Sequence, residues 1–236
     1  MQIPAILIAP EELFEVFGFP VTNSFLLTLV LSICLIVLFF FAFRKRKIVP
    51  DSFQNFFEWA LESLLSYVDG ITGDREKTLK IFPLSAIVFI FILLANLLEI
   101  FPGLGIFKFL RSPSSDLNFT LTLAIFSMVF VHILAIKDLG FSTYIKKYIN
   151  LKNPILFFVG FLEGLAEITR TFSLAIRLFG NLLAGEILLM VVSFMIAYLF
   201  PLPFLGLEIF VGFIQALIFS SLIVIFYVVT SEKPEE

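Results

Sequence analysis

Residues 155–199 read ILFFVGFLEGLAEITRTFSLAIRLFGNLLAGEILLMVVSFMIAYL, and this stretch decides the fold. It contains neither proline nor a cluster of polar turn residues, which predicts one unbroken helix. At about 1.5 Å per residue, such a helix is about 60 to 67 Å long. A hydrocarbon layer is about 30 Å thick, so the helix fits only when it is inclined by about 60° to the membrane normal, beyond the usual tilt of up to about 40°.

The rest of the chain has the composition of a membrane protein. Of its 236 residues, 60% are hydrophobic and 15% are charged, against about 45 to 50% and about 25% in soluble domains. Four other apolar stretches, at 21–43, 79–100, 117–136 and 204–229, are each long enough to cross a bilayer, which takes about 20 residues of helix. The sequence therefore predicts a single-domain, all-α polytopic membrane protein with about five membrane-crossing helices.

Charge and cysteine content exclude several kinds of partner and site. The net charge is only −3, so the overall balance predicts no nucleic-acid partner. Cys34 is the sole cysteine, which excludes an internal disulfide. Because the sequence has no Cys/His cluster, we expect no metal site, and nothing in it predicts a cofactor or a catalytic residue.

The basic residues are divided unequally between the loops. Of the sixteen Lys and Arg residues, twelve lie in residues 44–80, residues 137–153 and the tail at 231–236, whereas residues 102–116 hold two and residues 1–20 hold none. The positive-inside rule places the basic loops and the C-terminus in the cytoplasm and the N-terminal segment outside.

This orientation fixes how the last two apolar stretches cross. Residues 155–199 follow a basic loop and end at an uncharged turn, residues 200–203, on the outer side, so they cross once. The final stretch returns to the cytoplasm. We therefore predict a steeply tilted antiparallel hairpin at residues 155–230.

Residues 51–68, which follow the first span, have the pattern of an amphipathic interfacial helix. Their apolar residues recur at helical spacing: Phe53, Phe56, Phe57, Ala60, Leu61, Leu64 and Leu65. Asp51 follows Pro50 and can cap the helix. We expect this helix to lie along the cytoplasmic membrane surface or against a neighbour, followed by a polar loop at 70–77 and by the second and third spans at 79–136.

Ionisable residues inside the last two spans are the main functional signal. Each costs about 2.5 to 3.5 kcal/mol in a bilayer, so such residues usually mark an ion path or a buried pair. Six occur here: Glu163, Glu167, Arg170, Arg177, Glu186 and Glu208. At about 100° per residue, Arg177 and Asn181 share one face of the long helix, and Glu186 lies about 180° from Arg177.

An antiparallel hairpin that turns near Ala197 would place two pairs of polar residues at matching depths. Arg177 would lie level with Gln215, and Glu186 level with Glu208. Two carboxylates in one site repel each other and are costly to desolvate, which suits at least one of them to proton exchange. A structural role is the alternative: a paired cation for Arg177, and hydrogen-bonded carboxyl groups that fix the hairpin for the two acids.

Other polar residues have two interpretations as well. Arg170 could form a salt pair with Glu163 or Glu167, at i+7 and i+3 spacing, or take part in an ion path. His132 could be a packing residue or a proton relay. Asp116 could cap the third span or line an outer entry.

The end of the chain resembles a known family. Residues 173–188, SLAIRLFGNLLAGEIL, followed by Glu208 and by IQALIF at 214–219, are similar to the signature of subunit a of F-type ATP synthases. RSPSSDLNFTLTLA at 111–124 also resembles that family's outer loop and the helix after it. The resemblance covers about residues 80–230.

This resemblance implies a role, partners and a site. The chain would be the stationary half of a proton path, with its hairpin facing a rotating ring of c subunits and with b-type peripheral stalk subunits as further partners. The membrane would be an energy-transducing bilayer such as the bacterial plasma membrane. Arg177 would face the rotor carboxylate, with Asn181 and Gln215 as its polar neighbours.

The resemblance also implies two half-channels. Glu186 and Glu208 would line the outer one, and Glu163, with Glu167 as a weaker match, would belong to the inner one. Many relatives carry His at one of the positions of Glu186 and Glu208, which leaves the pH dependence of the outer path open. The transported ion would be the proton, with Na⁺ as an alternative.

The energetic cost of placing a charge in lipid suggests a mechanism for this arrangement. A rotor carboxylate crosses lipid cheaply only when it is neutral, and it needs a cation when it is ionised. Arginine keeps its charge, so Arg177 can stabilise the ionised carboxylate without relaying protons. Two other classes are a self-contained ion-coupled transporter or channel and a membrane scaffold, although the sequence lacks the internal repeats typical of transporters.

Overall fold

The computed structural model describes residues 12–16, 19–44, 50–99, 112–148, 154–195 and 201–232. The elements within these ranges are β1 (Glu12–Val16), β2 (Phe19–Thr22), α1 (Asn23–Arg44), α2 (Ser52–Thr72), α3 (Arg75–Glu99), α4 (Leu117–Leu139), α5 (Phe141–Tyr148), α6 (Pro154–Met195) and α7 (Pro201–Thr230). Five of the helices, α1, α3, α4, α6 and α7, are long and apolar enough to cross a membrane. This confirms the predicted all-α polytopic membrane fold.

The polar loop expected at residues 70–77 is mostly helical, so that prediction was wrong. Gly73 ends α2 in a left-handed conformation, with a φ of 65° that favours glycine, and its N–H donates to the Asp69 carbonyl at 2.9 Å. The Asp74 carboxylate then accepts from the Glu76 N–H at 2.9 Å and begins α3. The polar residues of this stretch are therefore helix ends rather than a loop.

The uncharged turn expected at residues 200–203 is also partly helical, since α7 begins at Pro201. Proline is tolerated in the first turn of a helix, where its missing N–H would have no intrahelical partner. The expected turn near Ala197 lies outside the described residues, as do the basic residues 45–47 and residues 102–111 of the outer loop.

Two small elements were not predicted. Strands β1 and β2 pair antiparallel before the first span, with Val16 opposite Phe19. The eight-residue helix α5 lies within residues 137–153, which were expected to be a basic loop.

The core lies between α3, α4, α6 and α7. Its fully buried side chains come from all four helices and include Ile81, Ile92, Val131, Leu174, Leu178, Phe219 and Tyr227. A buried hydroxyl pair, Ser85 with Ser220 at 2.7 Å, joins α3 to α7.

Helix α1 is tied to this core at its first turn. Ser24 Oγ donates to Asp116 Oδ2 at 2.7 Å. The other carboxylate oxygen of Asp116 accepts from the Asn118 N–H at 2.9 Å and caps α4, which confirms the capping role predicted for this residue. The first residues of α1 and α4 therefore lie at the same level.

Candidate functional site

The predicted site residues fall into two regions of the α6–α7 pair. We call the first the Glu208 cavity, which lies between the C-terminal part of α6, the N-terminal part of α7 and α3. We call the second the Glu167 cluster, which lies where α4, α5 and the N-terminal part of α6 meet and consists of His132, Tyr144, Lys147, Tyr148, Glu163 and Glu167. Arg177 lies on α6 between the two regions.

The Glu208 cavity has a volume of about 250 Å³. Most of its wall is apolar, and the polar side chains that line it are Asn96, Asn181, Glu208 and Gln215. An apolar cavity with a few convergent polar groups is the usual form of a binding or transport site.

Two glycines let the helices approach closely at this cavity. A Cβ atom at Gly185 would lie 2.6 Å from Glu208 Oε1, and one at Gly212 would lie 3.0 Å from the Cβ atom of Asn96. The Asn96 amide uses this proximity to donate to the Gly212 carbonyl at 3.0 Å. The glycine at 185 is thus what leaves room for the carboxyl group of Glu208 between α6 and α7.

The acids of this region have carboxyl oxygens without protein partners. Within the described residues, both oxygens of Glu208 and the Oε2 of Glu186 are buried and accept no hydrogen bond. The two carboxyl groups are close enough to interact electrostatically. Buried polar atoms normally have a partner, and a polar cavity of this size can hold bridging water.

Arg177 is exposed on α6, whereas the next residue, Leu178, is fully buried. Among the described residues, its guanidinium forms no hydrogen bond or ion pair, so the paired-cation interpretation finds no counterpart there. Gln215 was expected level with Arg177, but it accepts from Asn181 Nδ2 at 2.8 Å, one turn further along α6. The shorter Asn181 side chain is the one that reaches across to α7.

Glu163 is held by a fixed cation. Lys147 Nζ of α5 lies 3.0 Å from Glu163 Oε1 and also donates to the Val229 carbonyl of α7 at 2.9 Å. Only 8% of the Lys147 side chain is exposed. One buried ammonium group therefore joins α5, α6 and α7.

Glu167 is held by hydroxyl and imidazole groups instead. Its Oε1 accepts from the Tyr148 hydroxyl, and its Oε2 lies 3.6 Å from His132 Nε2. His132 Nδ1 lies 2.9 Å from the Tyr144 hydroxyl. Burial raises the pKa of both tyrosine hydroxyls above the ordinary value, so they stay protonated.

The salt pair suggested for Arg170 is not formed among the described residues. The Arg170 guanidinium lies 5.7 Å from the centre of the Phe226 ring, which is a cation–π distance. Glu163 and Glu167 have the partners named above, so neither acid is left for Arg170. The partners of Glu163 and Glu167 could not be predicted from the sequence, because α5, which supplies three of the six residues of the Glu167 cluster, was not predicted.

The family model described as ATP synthase A chain matches residues 24–228. The chain belongs to the ATP synthase A chain family. Among curated proteins, it is 33% identical over 214 residues to ATP synthase subunit a of Legionella pneumophila, which covers 90% of this chain and 88% of that one.

Two further relatives show the same extent of similarity. ATP synthase subunit a of Moorella thermoacetica is 32% identical over 91% of this chain and 93% of its own. ATP synthase subunit a of Gloeobacter violaceus is 36% identical over 85% of this chain and 80% of its own. The resemblance seen in the sequence is confirmed, and the match to the ATP synthase A chain family includes both the Glu208 cavity and the Glu167 cluster.

Proposed function

We propose that this chain is the stationary proton-conducting subunit of an F-type rotary ATP synthase, and that it couples proton flow to rotation without catalysing a reaction itself. The observation that carries the proposal is Arg177, an exposed cation of a membrane-crossing helix without a partner among the described residues. A charge in that position is costly in lipid. An ionised carboxylate on a neighbouring subunit would offset this cost, and membership of the ATP synthase A chain family supports a ring of c subunits as that neighbour.

Arg177 acts in this scheme as a partner and as a barrier. It stabilises the rotor carboxylate while that group is ionised and passing the stator. It cannot relay a proton, because the guanidinium does not lose its charge at physiological pH. Protons therefore reach the far side only by riding on the rotor, and the energy of the membrane potential, about 2.3 kcal/mol per charge per 100 mV, goes into rotation.

The two acid-bearing regions are the two half-channels. Glu186 and Glu208 line the outer half-channel, with Asn181 and Gln215 between them and Arg177. Glu163 and Glu167 line the inner half-channel. The partnerless carboxyl oxygens beside the Glu208 cavity support the outer assignment, because a proton carrier must be reachable by water.

The placement in the membrane belongs to the same proposal. The single membrane domain has its N-terminus outside and its C-terminus in the cytoplasm of a bacterial plasma membrane. Helix α6 has 42 residues, about 63 Å at about 1.5 Å per residue, so α6 and α7 are steeply tilted against the ring. Stalk subunits of the b type hold the chain in place, with protons as the coupling ion and Na⁺ as the alternative.

The test is Arg177→Ala in the intact complex, reconstituted into vesicles. We expect ATP-driven proton pumping, followed by the quenching of a pH-sensitive dye, to be abolished, while the complex still contains this chain and the c subunits. Arg170→Ala is the matched control, because it removes a cation of the same helix that contacts Phe226, and it should retain pumping. Normal coupled pumping by Arg177→Ala would overturn the proposal.

A further inference from the structure

Glu167 and His132 face each other where α6 packs on α4. The 3.6 Å between His132 Nε2 and Glu167 Oε2 is within ion-pair range, although it is longer than an ordinary hydrogen bond. The remaining polar atoms of these two side chains contact α5. The Tyr148 hydroxyl donates to Glu167 Oε1, and the Tyr144 hydroxyl lies 2.9 Å from His132 Nδ1. Both ends of the pair are therefore fixed by tyrosines.

The Glu167 carboxylate depends on His132 for a positive charge. Its side chain is 11% exposed, and a buried carboxylate is unstable without a cation or hydrogen-bond donors. The fixed cations of this region are used elsewhere in the described structure: Lys147 binds Glu163, and Arg170 stacks on Phe226. His132 is thus the one titratable cation that the described residues offer to Glu167.

The two inner acids differ in what their partners can do. The Lys147 ammonium group serves Glu163 as a fixed cation that is held by two contacts. An imidazole can take up a proton at one ring nitrogen and release one from the other, and His132 is the imidazole that faces Glu167. Of the two acids, Glu167 is the one with a partner suited to proton exchange.

We propose, resting on the function proposed above, that Glu167 and His132 form a proton-holding pair of the inner half-channel. A proton that arrives converts the carboxylate and the neutral imidazole into a carboxylate and an imidazolium. Its departure from the imidazole restores the starting state, so one proton enters and one leaves. Glu167 precedes Arg177 by ten residues, about 15 Å along the helix, which places the pair between the rotor contact and the α5 side.

Tyr144 and Tyr148 are the positioning residues of this pair. Their raised pKa keeps them as neutral hydroxyls at working pH, so they orient the imidazole and the carboxylate without exchanging charge. Helix α5 packs closely on α6, because a Cβ atom at Gly160 would collide with the Tyr148 carbonyl oxygen. This close packing brings the Tyr148 hydroxyl into contact with the Glu167 carboxylate.

Two other groups of titratable residues near this end of the packed helices form contacts of their own. On α7, the Tyr227 hydroxyl donates to Asp138 of α4 at 2.5 Å, and Asp138 also binds Lys80 of α3 at 2.8 Å. Glu163 and Lys147 form the ion pair already described. Among these contacts of the described residues, the Glu167–His132 contact is the one that contains an imidazole.

The test is the pH dependence of proton flow through the intact complex in vesicles, with the pH of the two sides varied separately. In the unaltered protein we expect the rate to depend on the pH of the α5 side, because an imidazole of the pair takes up and releases the proton. In His132→Gln this dependence should disappear, and the rate at pH 7.5 should fall about tenfold, as expected from the loss of one hydrogen bond to a charged group. Glu167→Gln should act in the same way.

Thr122→Ala is the matched control, because Thr122 is exposed on the same helix as His132 and binds only its own backbone turn. It should keep both the rate and the pH profile. An unchanged α5-side pH profile in His132→Gln would overturn the inference, while the Arg177→Ala result would still stand for or against the proposed function.

Should His132→Gln fail to assemble with the c subunits, Tyr144→Phe provides a second test. It keeps the imidazole but removes the group that orients Nδ1. We expect the midpoint of the α5-side pH profile to move, because the orientation of the imidazole is no longer held by the Tyr144 hydroxyl. An unmoved midpoint in this variant would also count against the inference.

Discussion

The two ends of the α6–α7 pair carry acids in opposite states. At the cavity end, three buried carboxyl oxygens of Glu186 and Glu208 lack a partner among the described residues, and Glu208 adjoins about 250 Å³ of space. In the Glu167 cluster, the acids are bound by Lys147, Tyr148 and His132. One end therefore leaves its carboxyl groups without protein partners, whereas the other end pairs them with side chains.

Small residues and one short helix explain this difference. At the cavity, Gly185 leaves space that the Glu208 carboxyl group enters. At the cluster, Gly160 leaves space that the backbone of α5 fills, which brings Tyr148 and Lys147 onto the acids. Gly185 thus leaves space for a carboxyl group near one end of α6, whereas Gly160 leaves space for the backbone of α5 near the other end.

The largest effect should come from Glu208→Gln, which removes the exchangeable proton and keeps the shape. We expect proton flow from the cavity side to fall about 100-fold, the lower range for loss of a proton-transfer group. The measurement is the initial rate in vesicles that contain the intact complex. Glu62→Gln, which changes an exposed acid of α2, is the control. Equal rates of proton flow in the two variants would show that Glu208 is not needed for proton flow from the cavity side.

A smaller loss is expected from Gly185→Ala, because the new methyl group would lie 2.6 Å from Glu208 Oε1 and would push the carboxyl group aside. We expect the same rate to fall about tenfold, or about 1.4 kcal/mol in the barrier. Gly206→Ala on α7 is matched to it, since nothing lies within 4 Å of a Cβ atom there. Equal rates of proton flow in the two variants would show that the close packing at Gly185 does not affect proton flow.

Lys147→Gln should weaken the attachment of α5 to α6 and α7 without stopping proton flow. It removes the ion pair to Glu163 and the hydrogen bond to Val229. We expect amide hydrogen exchange in α5 to become about tenfold to 100-fold faster, equivalent to about 1.4 to 3 kcal/mol for hydrogen bonds to a charged group. Lys146→Gln, its exposed neighbour, serves as the control, and unchanged exchange in both variants would show that Lys147 does not hold α5.

Ser85→Ala should have the smallest effect, because it alters the core that both ends share rather than either site. The Ser85–Ser220 bond of 2.7 Å is lost, which costs about 1 kcal/mol of stability. Thermal unfolding in detergent should detect this shift while proton flow stays the same. A large loss of flow would show that the Ser85–Ser220 contact itself belongs to a proton path.

Much of the fold follows from length and hydropathy alone. The five membrane-crossing helices are apolar stretches that a bilayer must hold as helices, because their backbone groups need internal partners. The sequence could predict that Glu186 lies near Glu208, because an antiparallel hairpin brings residues that are equally far from its turn to the same depth. The ends of α2 and α3 were missed because Gly73 and Asp74 could equally form a loop.

The Glu167 cluster was beyond the reach of the sequence for a physical reason. Helix α5 has only eight residues, too few to be stable alone, and it is held by contacts with α6 and α7. His132 lies 35 residues from Glu167, and because α5 separates α4 from α6 the two positions are not related by the spacing of a simple hairpin. The rotation of α6 about its axis likewise decided that Asn181 rather than Arg177 meets Gln215.

The bond between Ser24 and Asp116 has a consequence for biosynthesis. Its two residues are 92 positions apart, so it cannot form until the ribosome has reached residue 116, immediately before the third membrane-crossing helix. Before then, the Thr22–Ser24 contact at this end of α1 can already form. The residue that caps α4 therefore adds the last of these contacts, and a chain truncated before residue 116 should lack it.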